Sequence, residues 1–389
     1  MGPSLPLITA IVIHYNNGNY IYETLASILQ QDYPNIELLI SDDCSPDGFD
    51  ADGIIRYINQ NRKENIKRVV IHENQQNLGT VRHLECIREK AQGDFELLIA
   101  ADDVWYDEHV FSAFAQRFEE LGPEAEWLTS QIEMCDITLQ KVEKQFVPEH
   151  VIRLIKEGNY PELLNQELIE CYLPGSGCAY RKSFFQKIHS LSEDYCLIED
   201  YTTHLRALRM GIPIYFVDII SVKHRHGGIS HGNTRNGDAL FAKYHYDFLT
   251  AFRKEIEPYQ SEFSEVAYRK AQLRYEAHCR TYKKLLEKEQ SKVSYRAQKP
   301  LWIGLLKSAK GSLYQISRLK QIESDAKTIL WIVFCALFFQ QREDRIAFSG
   351  LRLVFRLSVL ALTVCIICRV GINLALRIWE AGKRRRETG

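Results

Sequence analysis

The chain has 389 residues, of which 46% are hydrophobic and 25% are charged, and it contains only 21 Gly and 11 Pro. This length predicts a main domain with an appendage, and the composition and lack of internal repeats exclude low-complexity, solenoid and propeller proteins. The net charge of −1 conceals a basic C-terminal part, because residues 291–389 carry 18 Lys and Arg against 6 Asp and Glu, whereas the first 290 residues carry 31 against 44.

The first hundred residues alternate short apolar runs with segments of helical periodicity. The runs are rich in β-branched residues, as the buried strands of a parallel sheet are, and the helical segments would cover both faces of that sheet. The pattern therefore predicts an α/β fold with a mostly parallel, Rossmann-like sheet flanked by helices, in which ligands bind beyond the carboxyl ends of strands. The predicted elements are strand Leu7–His14, helix Tyr20–Gln31, strand Ile36–Ile40, helix Ile54–Ile58, strand Val69–His72, helix Leu78–Ala91 and strand Phe95–Ala101.

Pairs of adjacent acids follow two of these strands. Asp42 and Asp43 follow the second strand, where they could accept hydrogen bonds from a nucleobase or a ribose hydroxyl. Asp102 and Asp103 follow the fourth strand, and oxygen ligands of this kind suit Mg²⁺ or Mn²⁺ completed by substrate phosphates. Each pair has a structural alternative, which is an Asx-turn for the first and a helix N-cap for the second.

The region 110–226 has a mixed pattern that contains a glycine-bearing loop, Leu173–Gly177, and a helix predicted to begin near Glu199. An acid at this helix start, Glu199 or Asp200, could take a proton from an attacking hydroxyl if burial offsets the helix dipole. The structural alternative is ordinary charge complementarity at a helix N-terminus.

A histidine-rich loop, KHRHGGISHG, follows this region and contains His224, His226 and His231. One of these histidines could complete a metal shell or contact a diphosphate, and Arg225 between two of them favours an anionic ligand. The structural alternative is a surface turn.

The C-terminal third is predicted to associate with a membrane. Its long apolar runs favour a lipid surface over nucleic acid as the partner of the basic residues. Two of the runs are too short or too interrupted by charge for clean spans of about 30 Å, so a shallow or re-entrant helical pair is expected, with a buried helical hairpin as the alternative. The segments are a charged helical stretch Glu255–Gln298, an amphipathic segment Lys299–Lys320, the apolar runs Ile329–Phe339 and Leu357–Leu376, and the basic run Lys383–Arg386, which would stay cytoplasmic.

The order and spacing of these motifs from about Pro6 to Ser230 resemble the family 2 glycosyltransferases of the GT-A fold. The motifs that carry the resemblance are Tyr15-Asn16, Asp42-Asp43-Cys-Ser-Pro-Asp, Asn77-Leu-Gly79, Asp102-Asp103 and Glu199-Asp200. The resemblance implies an inverting single displacement on a nucleotide-sugar donor, with Mn²⁺ or Mg²⁺ at the donor diphosphate.

The resemblance also implies roles for individual residues. Asp200, with Glu199 beside it, resembles the base that deprotonates the acceptor, and the Leu173–Gly177 loop resembles the acceptor side. Metal ligands are expected among Asp102, Asp103 and His226. Contacts to the donor nucleotide are expected from Tyr15, Asp42, Asp43, Gly79, Arg82 and Asp102.

The sequence departs from the family pattern at three points. His14 stands where many members have a small hydroxyl residue, and Ala100 stands where an additional aspartate is common. The Gln-x-x-Arg-Trp motif of processive synthases does not follow Asp200, so transfer of a single sugar is favoured over polymerisation.

These features predict a catalytic domain at 1–235, a helical connecting segment at 236–298 and membrane-associating helices at 299–389. The expected function is transfer of one sugar, from a UDP- or dTDP-sugar, to a lipid-linked or membrane-held glycan acceptor at the cytoplasmic face of the cell membrane, in surface polysaccharide synthesis. The alternative is a catalytically silent nucleotide-sugar-binding or scaffold protein, which Ala100 allows. A nucleic-acid-binding protein is disfavoured because the basic tail is hydrophobic.

Overall fold

The computed structural model describes residues 5–189, 191, 194–227 and 238–288. Its strands are β1 Ile8–His14, β2 Ile36–Asp42, β3 Ile66–Glu73, β4 Phe95–Ala100, β5 Val104–Trp105, β6 Trp127–Cys135, β7 Val142–Gln145, β8 Cys178–Arg181 and β9 Ile214–Arg225. Its helices are α1 Ile21–Leu29, α2 Ala51–Asn61, α3 Thr80–Arg88, α4 Val110–Leu121, α5 Glu149–Glu157, α6 Tyr160–Ile169, α7 Lys182–Ile188, α8 Glu199–Arg209, α9 Asp238–Ala251 and α10, residues 265–288. A π-helical turn, Phe252–Ile256, and a 3₁₀ segment, Glu257–Glu262, join α9 to α10. The predicted membrane-associating region 299–389 and His231 lie outside the described residues.

The N-terminal half of the sheet is parallel, with strand order β3-β2-β1-β4. In its register, Ile8 of β1 lies opposite Ile36 of β2 and Phe95 of β4, so the three strands end at the same edge. The four strands and three helices predicted for this half are confirmed, with boundaries that differ by a few residues. Apolar runs identify these strands because β1, β2 and β4 are covered on both faces.

The C-terminal half of the sheet corrects the expectation of a mostly parallel sheet. β8 pairs antiparallel with β4 and β6, β5 pairs antiparallel with β9, and β7 pairs antiparallel with the end of β6. Only β6 and β9 pair in parallel in this half. The described fold is therefore a mixed α/β fold. The strands of this half were not predicted from the sequence, and in β6 the buried polar residues Thr129, Ser130 and Gln131 interrupt the apolar pattern of a strand.

Helices cover both faces of the parallel half. Leu25 of α1 and Phe114 of α4 are completely buried against one face, and Leu84 and Ile87 of α3 are completely buried against the other. Burial of each such side chain contributes about 1.5–3 kcal/mol, so the two layers fix the sheet edge from both sides.

The helical segment after α9 packs on α8. Ala267 and Ala271 of α10 are buried in the same apolar cluster as Leu205 of α8. Glu255 is buried and forms ion pairs with two arginines of α8, Arg206 and Arg209. Within the described ranges, no helix is both long and apolar enough to span a bilayer.

Candidate active site

The carboxyl ends of β1 and β2 bring His14 next to Asp42. His14 Nδ1 lies 2.7 Å from Asp42 Oδ1, and both side chains are almost completely buried. Ser45 donates its backbone N–H to Asp42 Oδ2 at 2.9 Å and its hydroxyl to Asp42 Oδ1. These hydrogen bonds stabilise the charged carboxylate and lower the pKa of Asp42, against the effect of its burial. The histidine that departs from the family pattern is therefore a structural partner of the predicted donor contact.

Asp43 organises the loop that leads into α3. Its carboxylate accepts hydrogen bonds from Asn74 Nδ2 at 2.9 Å, from Leu78 N at 2.8 Å and from Gly79 N at 2.9 Å. Both carboxylate oxygens of Asp43 hold protein groups, and its predicted contact to the donor stays a prediction. The turn alternative considered for this pair applies to Asp42, whose Oδ2 accepts the backbone N–H of Ser45, whereas the partners of Asp43 lie 31–36 positions along the chain.

Gly79 is required by close packing. Its φ is +80°, and a Cβ at this position would lie 2.6 Å from the main-chain oxygen of Cys196. Only glycine fits such a contact in this backbone conformation. Arg82 is exposed on the first turn of α3, and Tyr15 is partly buried after β1. Burial and nearby acids, of which Asp43 has the largest effect, raise the pKa of Tyr15.

The second acid pair, after β4, is divided between two environments. Asp103 is completely buried, and its carboxylate accepts hydrogen bonds from Arg225 N at 2.8 Å and from His224 Nδ1 at 2.8 Å. Asp102 is partly exposed. Its main-chain oxygen, not its carboxylate, accepts a 2.7 Å hydrogen bond from Arg225 Nε. Burial and the charge of Asp103 raise the pKa of Asp102 to about 6.

His224 links this acid pair to the third. Burial would lower the pKa of His224, but the charge and hydrogen bond of Asp103, together with Asp102 and Asp200, raise it to about 9. The imidazole is therefore a cation at neutral pH, positioned in the field of all three aspartates.

Arg225 is not available for the anionic ligand that the sequence suggests. Its side chain is 3% exposed and donates to the main-chain oxygens of Asp102 and Ile137 and to Glu23 Oε2. The guanidinium also lies 4.1 Å from the centre of the Tyr20 ring. Arg225 thus joins β9 to α1 and to the loop after β6.

The predicted metal ligands are not brought together as one cluster. The ring of His226 lies 3.6 Å from Glu143, and the Asp103 carboxylate holds β9. Among residues 5–189, 191, 194–227 and 238–288, no group of three or more His, Cys, Asp or Glu side chains is arranged to hold an ion. The metal ligands Asp102, Asp103 and His226 therefore stay a prediction, and among them Asp102 has a partly exposed carboxylate that is a hard oxygen ligand. A single carboxylate suits Mg²⁺ or Mn²⁺, because such ions usually bind one or two carboxylates plus substrate phosphates.

Glu199 and Asp200 begin α8 as predicted, but they have different environments. Glu199 is buried and pairs with Arg88 at 3.0 Å, and Arg88 also lies 3.3 Å from Glu96. This ion pair joins α3 to α8, and the catalytic role of Glu199 stays a prediction.

Asp200 faces the predicted acceptor loop. Its Oδ1 accepts a 2.8 Å hydrogen bond from Tyr201 N, and a Cβ on Gly175 would lie 3.2 Å from its Oδ2. Burial and the charge of Glu199 raise the pKa of Asp200 to about 6, even though the backbone hydrogen bond lowers it. A carboxylate with this pKa is mainly ionised at neutral pH and is well suited to accept a proton.

Sequence reasoning missed the buried acid beneath the acceptor loop. Glu167 of α6 is completely buried, and its Oε2 accepts hydrogen bonds from Tyr172 N at 2.9 Å and Leu173 N at 3.1 Å. Burial raises the pKa of Glu167 to about 8. Its position beside Leu163 and Leu168 on the buried face of α6 is the only sequence signal that could have identified it.

The chain is similar in sequence to known glycosyltransferases. Residues 9–189 match the sequence model of the family described as Glycosyl transferase family 2. TuaG of Bacillus subtilis (strain 168), a glycosyltransferase assigned to teichuronic acid biosynthesis, is 33% identical over 100 residues, which are 26% of this chain and 37% of the relative. WfaP of Escherichia coli, a UDP-Glc:alpha-D-GlcNAc-diphosphoundecaprenol beta-1,3-glucosyltransferase, is 25% identical over 58% of this chain and 79% of the relative.

Among solved structures, the mannosyltransferase PcManGT from Pyrobaculum calidifontis, in complex with GDP-Man and Mn²⁺, is 18% identical with a TM-score of 0.46. The similarity covers 79% of this chain and 81% of that chain. The chain spans little more than a third of the length of TuaG. The matched segment includes β1 to β4 and the acid pairs that follow β2 and β4. Through this segment, which is somewhat less than half of the chain, the chain is similar to the family 2 glycosyltransferases.

Proposed function

We propose that the protein transfers a single sugar, with inversion, from a UDP- or dTDP-sugar to a hydroxyl of a lipid-linked or membrane-held glycan in surface polysaccharide synthesis. The observation that carries the proposal is the environment of Asp200, whose Oδ2 faces Gly175 of the acceptor loop and whose pKa is raised to about 6. The donor and acceptor named for WfaP, UDP-Glc and a GlcNAc-diphosphoundecaprenol, support the classes of substrate. The cytoplasmic face of the cell membrane is the proposed location, because such lipid-linked acceptors are held there.

In the proposed reaction, Asp200 Oδ2 takes the proton of the acceptor hydroxyl while Oδ1 stays hydrogen-bonded to Tyr201 N. The acceptor oxygen forms a bond to the anomeric carbon, and the bond from that carbon to the diphosphate oxygen breaks. The nucleoside diphosphate leaves with the bonding electron pair. Asp200 is fixed at the start of a helix. An acceptor that binds beside Gly175 would therefore have its hydroxyl positioned next to the base before the reaction begins.

Negative charge develops on the departing diphosphate, and His224 supplies positive charge in this region. Its pKa of about 9 keeps the ring protonated at neutral pH, and Asp103 holds it through Nδ1. Asp102 would hold the divalent ion, which when bound offsets diphosphate charge. Tyr15 and Asp42 are the proposed contacts to base and ribose, and His14 and Ser45 hold Asp42 in its charged form.

The first test measures transfer of labelled sugar from a panel of UDP-, dTDP- and GDP-sugars to membrane lipid extract, with Mn²⁺ or with EDTA. We expect labelling from one donor that EDTA removes. Wild type is compared with Asp200→Asn and with a matched control, Asp218→Asn, whose carboxylate is exposed on β9. Loss of the base is expected to lower turnover by about 10²–10⁴-fold, whereas the control keeps wild-type turnover.

Nucleotide binding by Asp200→Asn is expected to match that of wild type, which separates loss of chemistry from loss of folding. The proposal is wrong if this variant keeps turnover close to that of wild type. Because the base must be ionised, kcat/KM of wild type is expected to fall about tenfold per pH unit below a pH of about 6. A flat profile between pH 5 and 7 would exclude Asp200 as the base.

A further inference from the structure

One face of α10 points away from the fold and has a distinctive composition. Its inner face, which includes Ala267 and Ala271, is buried. The opposite face, here called the outer stripe, repeats at intervals of three, four and seven residues, as one side of a helix does. The outer stripe consists of Val266, Arg269, Lys270, Leu273, Ala277, Arg280, Lys284 and Glu287, all of which are exposed, and it has four cations against one acid.

The outer stripe combines cations with exposed apolar side chains. Val266 is 66% exposed and Leu273 is 58% exposed, which are high values for such residues on a packed helix. Four cations surround them, and on the flank of the stripe Glu276 lies 3.7 Å from Arg280. Helices that lie in a membrane interface combine apolar residues with Lys and Arg in this way.

The charge of the outer stripe indicates which kind of partner binds it. Residues 291–389 carry an excess of 12 positive charges, so a positively charged stripe would repel the chain's own C-terminal part. A second copy would bring the same cations against each other. An anionic lipid surface attracts the cations and also removes Val266 and Leu273 from water, which a polar polyanion would not do.

We propose that the outer stripe of α10 is a membrane-docking surface that binds anionic lipid headgroups and inserts Leu273 and Val266 among them. The inner face of the same helix contacts the helix that carries Asp200, because Arg274 lies 5.0 Å from the centre of the Tyr201 ring. Docking would therefore hold the proposed catalytic base in a fixed relation to the bilayer that contains the acceptor. Docking needs neither donor nor acceptor, so it is measurable whether or not sugar transfer is found.

The test compares binding of the full-length protein to vesicles of phosphatidylcholine with and without phosphatidylglycerol, by co-sedimentation. The stripe variant is Lys270→Gln with Lys284→Gln. The matched control is Arg56→Gln with Arg62→Gln, which removes the same charge from exposed positions on and just after α2. We expect the stripe variant to bind anionic vesicles about tenfold to thirtyfold more weakly, since each surface cation is worth about 1 kcal/mol. The control is expected to bind within about twofold of wild type, and added salt to reduce the difference.

A second variant, Leu273→Ser, separates a lipid partner from a polyanion. It is expected to weaken vesicle binding severalfold while leaving heparin binding unchanged. All three variants should keep the wild-type melting temperature and transfer to a soluble acceptor analogue, because the altered side chains are exposed. The proposal is overturned if the stripe variant binds anionic vesicles as wild type does, or if stripe and control variants lose equal affinity. It is also overturned if Lys270→Gln with Lys284→Gln weakens heparin binding alone.

Discussion

The donor half of the site, where β1 and β2 end, and the acceptor half, where α8 begins, each contain a carboxylate largely shielded from solvent. In the donor half, Asp42 accepts hydrogen bonds from His14 and from two groups of Ser45, and its pKa is lowered. In the acceptor half, the hydrogen bond from Tyr201 N does not offset burial and the neighbouring Glu199, and the pKa of Asp200 rises to about 6. The number of hydrogen-bond donors, rather than burial, therefore explains why Asp42 stays charged while Asp200 is suited to accept a proton.

A similar contrast occurs within two of the three acid pairs, Asp102-Asp103 and Glu199-Asp200. Asp43, Asp103 and Glu199 hold a loop, a strand and a neighbouring helix, respectively. Asp102 and Asp200 keep carboxylates whose pKa values are raised to about 6. In these two pairs, one acid builds the scaffold and its neighbour carries the proposed chemistry.

The largest expected effect on stability comes from removing a scaffold acid of the donor half. Asp43→Ala leaves Leu78 N, Gly79 N and Asn74 without their carboxylate partner. We expect the free energy of unfolding to fall by about 3–5 kcal/mol, because hydrogen bonds to charged groups are worth about 1.5–3 kcal/mol each. Urea unfolding measures this loss, and Asp43→Asn, which keeps one acceptor oxygen, should lose less. A loss below about 1 kcal/mol would contradict the scaffold role.

A smaller effect on stability is expected from replacing His224, whose protonated ring interacts with Asp103, Asp102 and Asp200. The folded pKa of His224, about 9, lies above its ordinary value of 6.5, so its pairing stabilises the fold fully below pH 6.5. That stability is lost as pH rises to about 9. With EDTA present, we expect His224→Gln to be less stable than wild type by about 2 kcal/mol at pH 6, allowing for partial exposure, and to approach wild type near pH 10. A stability difference independent of pH would contradict this assignment.

The smallest effect is a gain in stability at the acceptor half. Because the folded pKa of Asp200 lies above the unfolded value near 3.9, its ionised form destabilises the fold at neutral pH. Asp200→Asn is therefore expected to raise the free energy of unfolding at pH 7 by about 1–2 kcal/mol. The gain should disappear as pH falls from 6 to about 4. Asp42→Asn, measured in parallel, should instead lower the free energy of unfolding. A lower free energy of unfolding in both variants would contradict the opposite pKa shifts of Asp42 and Asp200.

The sequence was sufficient to predict the parallel half of the fold. β1, β2 and β4 are continuous apolar runs that end in polar residues, and helical periodicity separates them. It did not predict β6 as a strand, because Thr129, Ser130 and Gln131 are buried there through hydrogen bonds made with distant residues.

The different roles of the two acids within a pair could not be predicted from the sequence either. Asp43 bonds to Gly79 N across 36 positions, and Asp103 bonds to Arg225 N across 122 positions. Such partners are defined only when the chain is folded, so adjacent acids look equivalent in the sequence. The predicted position of Asp200 at a helix start is confirmed, whereas its catalytic role stays a prediction.

The insertion of β9 between β6 and β5 affects how the sheet forms during synthesis. β1 to β4 can pair once roughly the first hundred residues have left the ribosome, but Asp103 acquires its partners His224 and Arg225 only when β9 emerges. At about 5–20 residues per second, that delay is on the order of 10 s. During this interval the carboxylate of Asp103 lacks its partners His224 and Arg225, so this end of the sheet acquires its hydrogen bonds only after β9 has been synthesised.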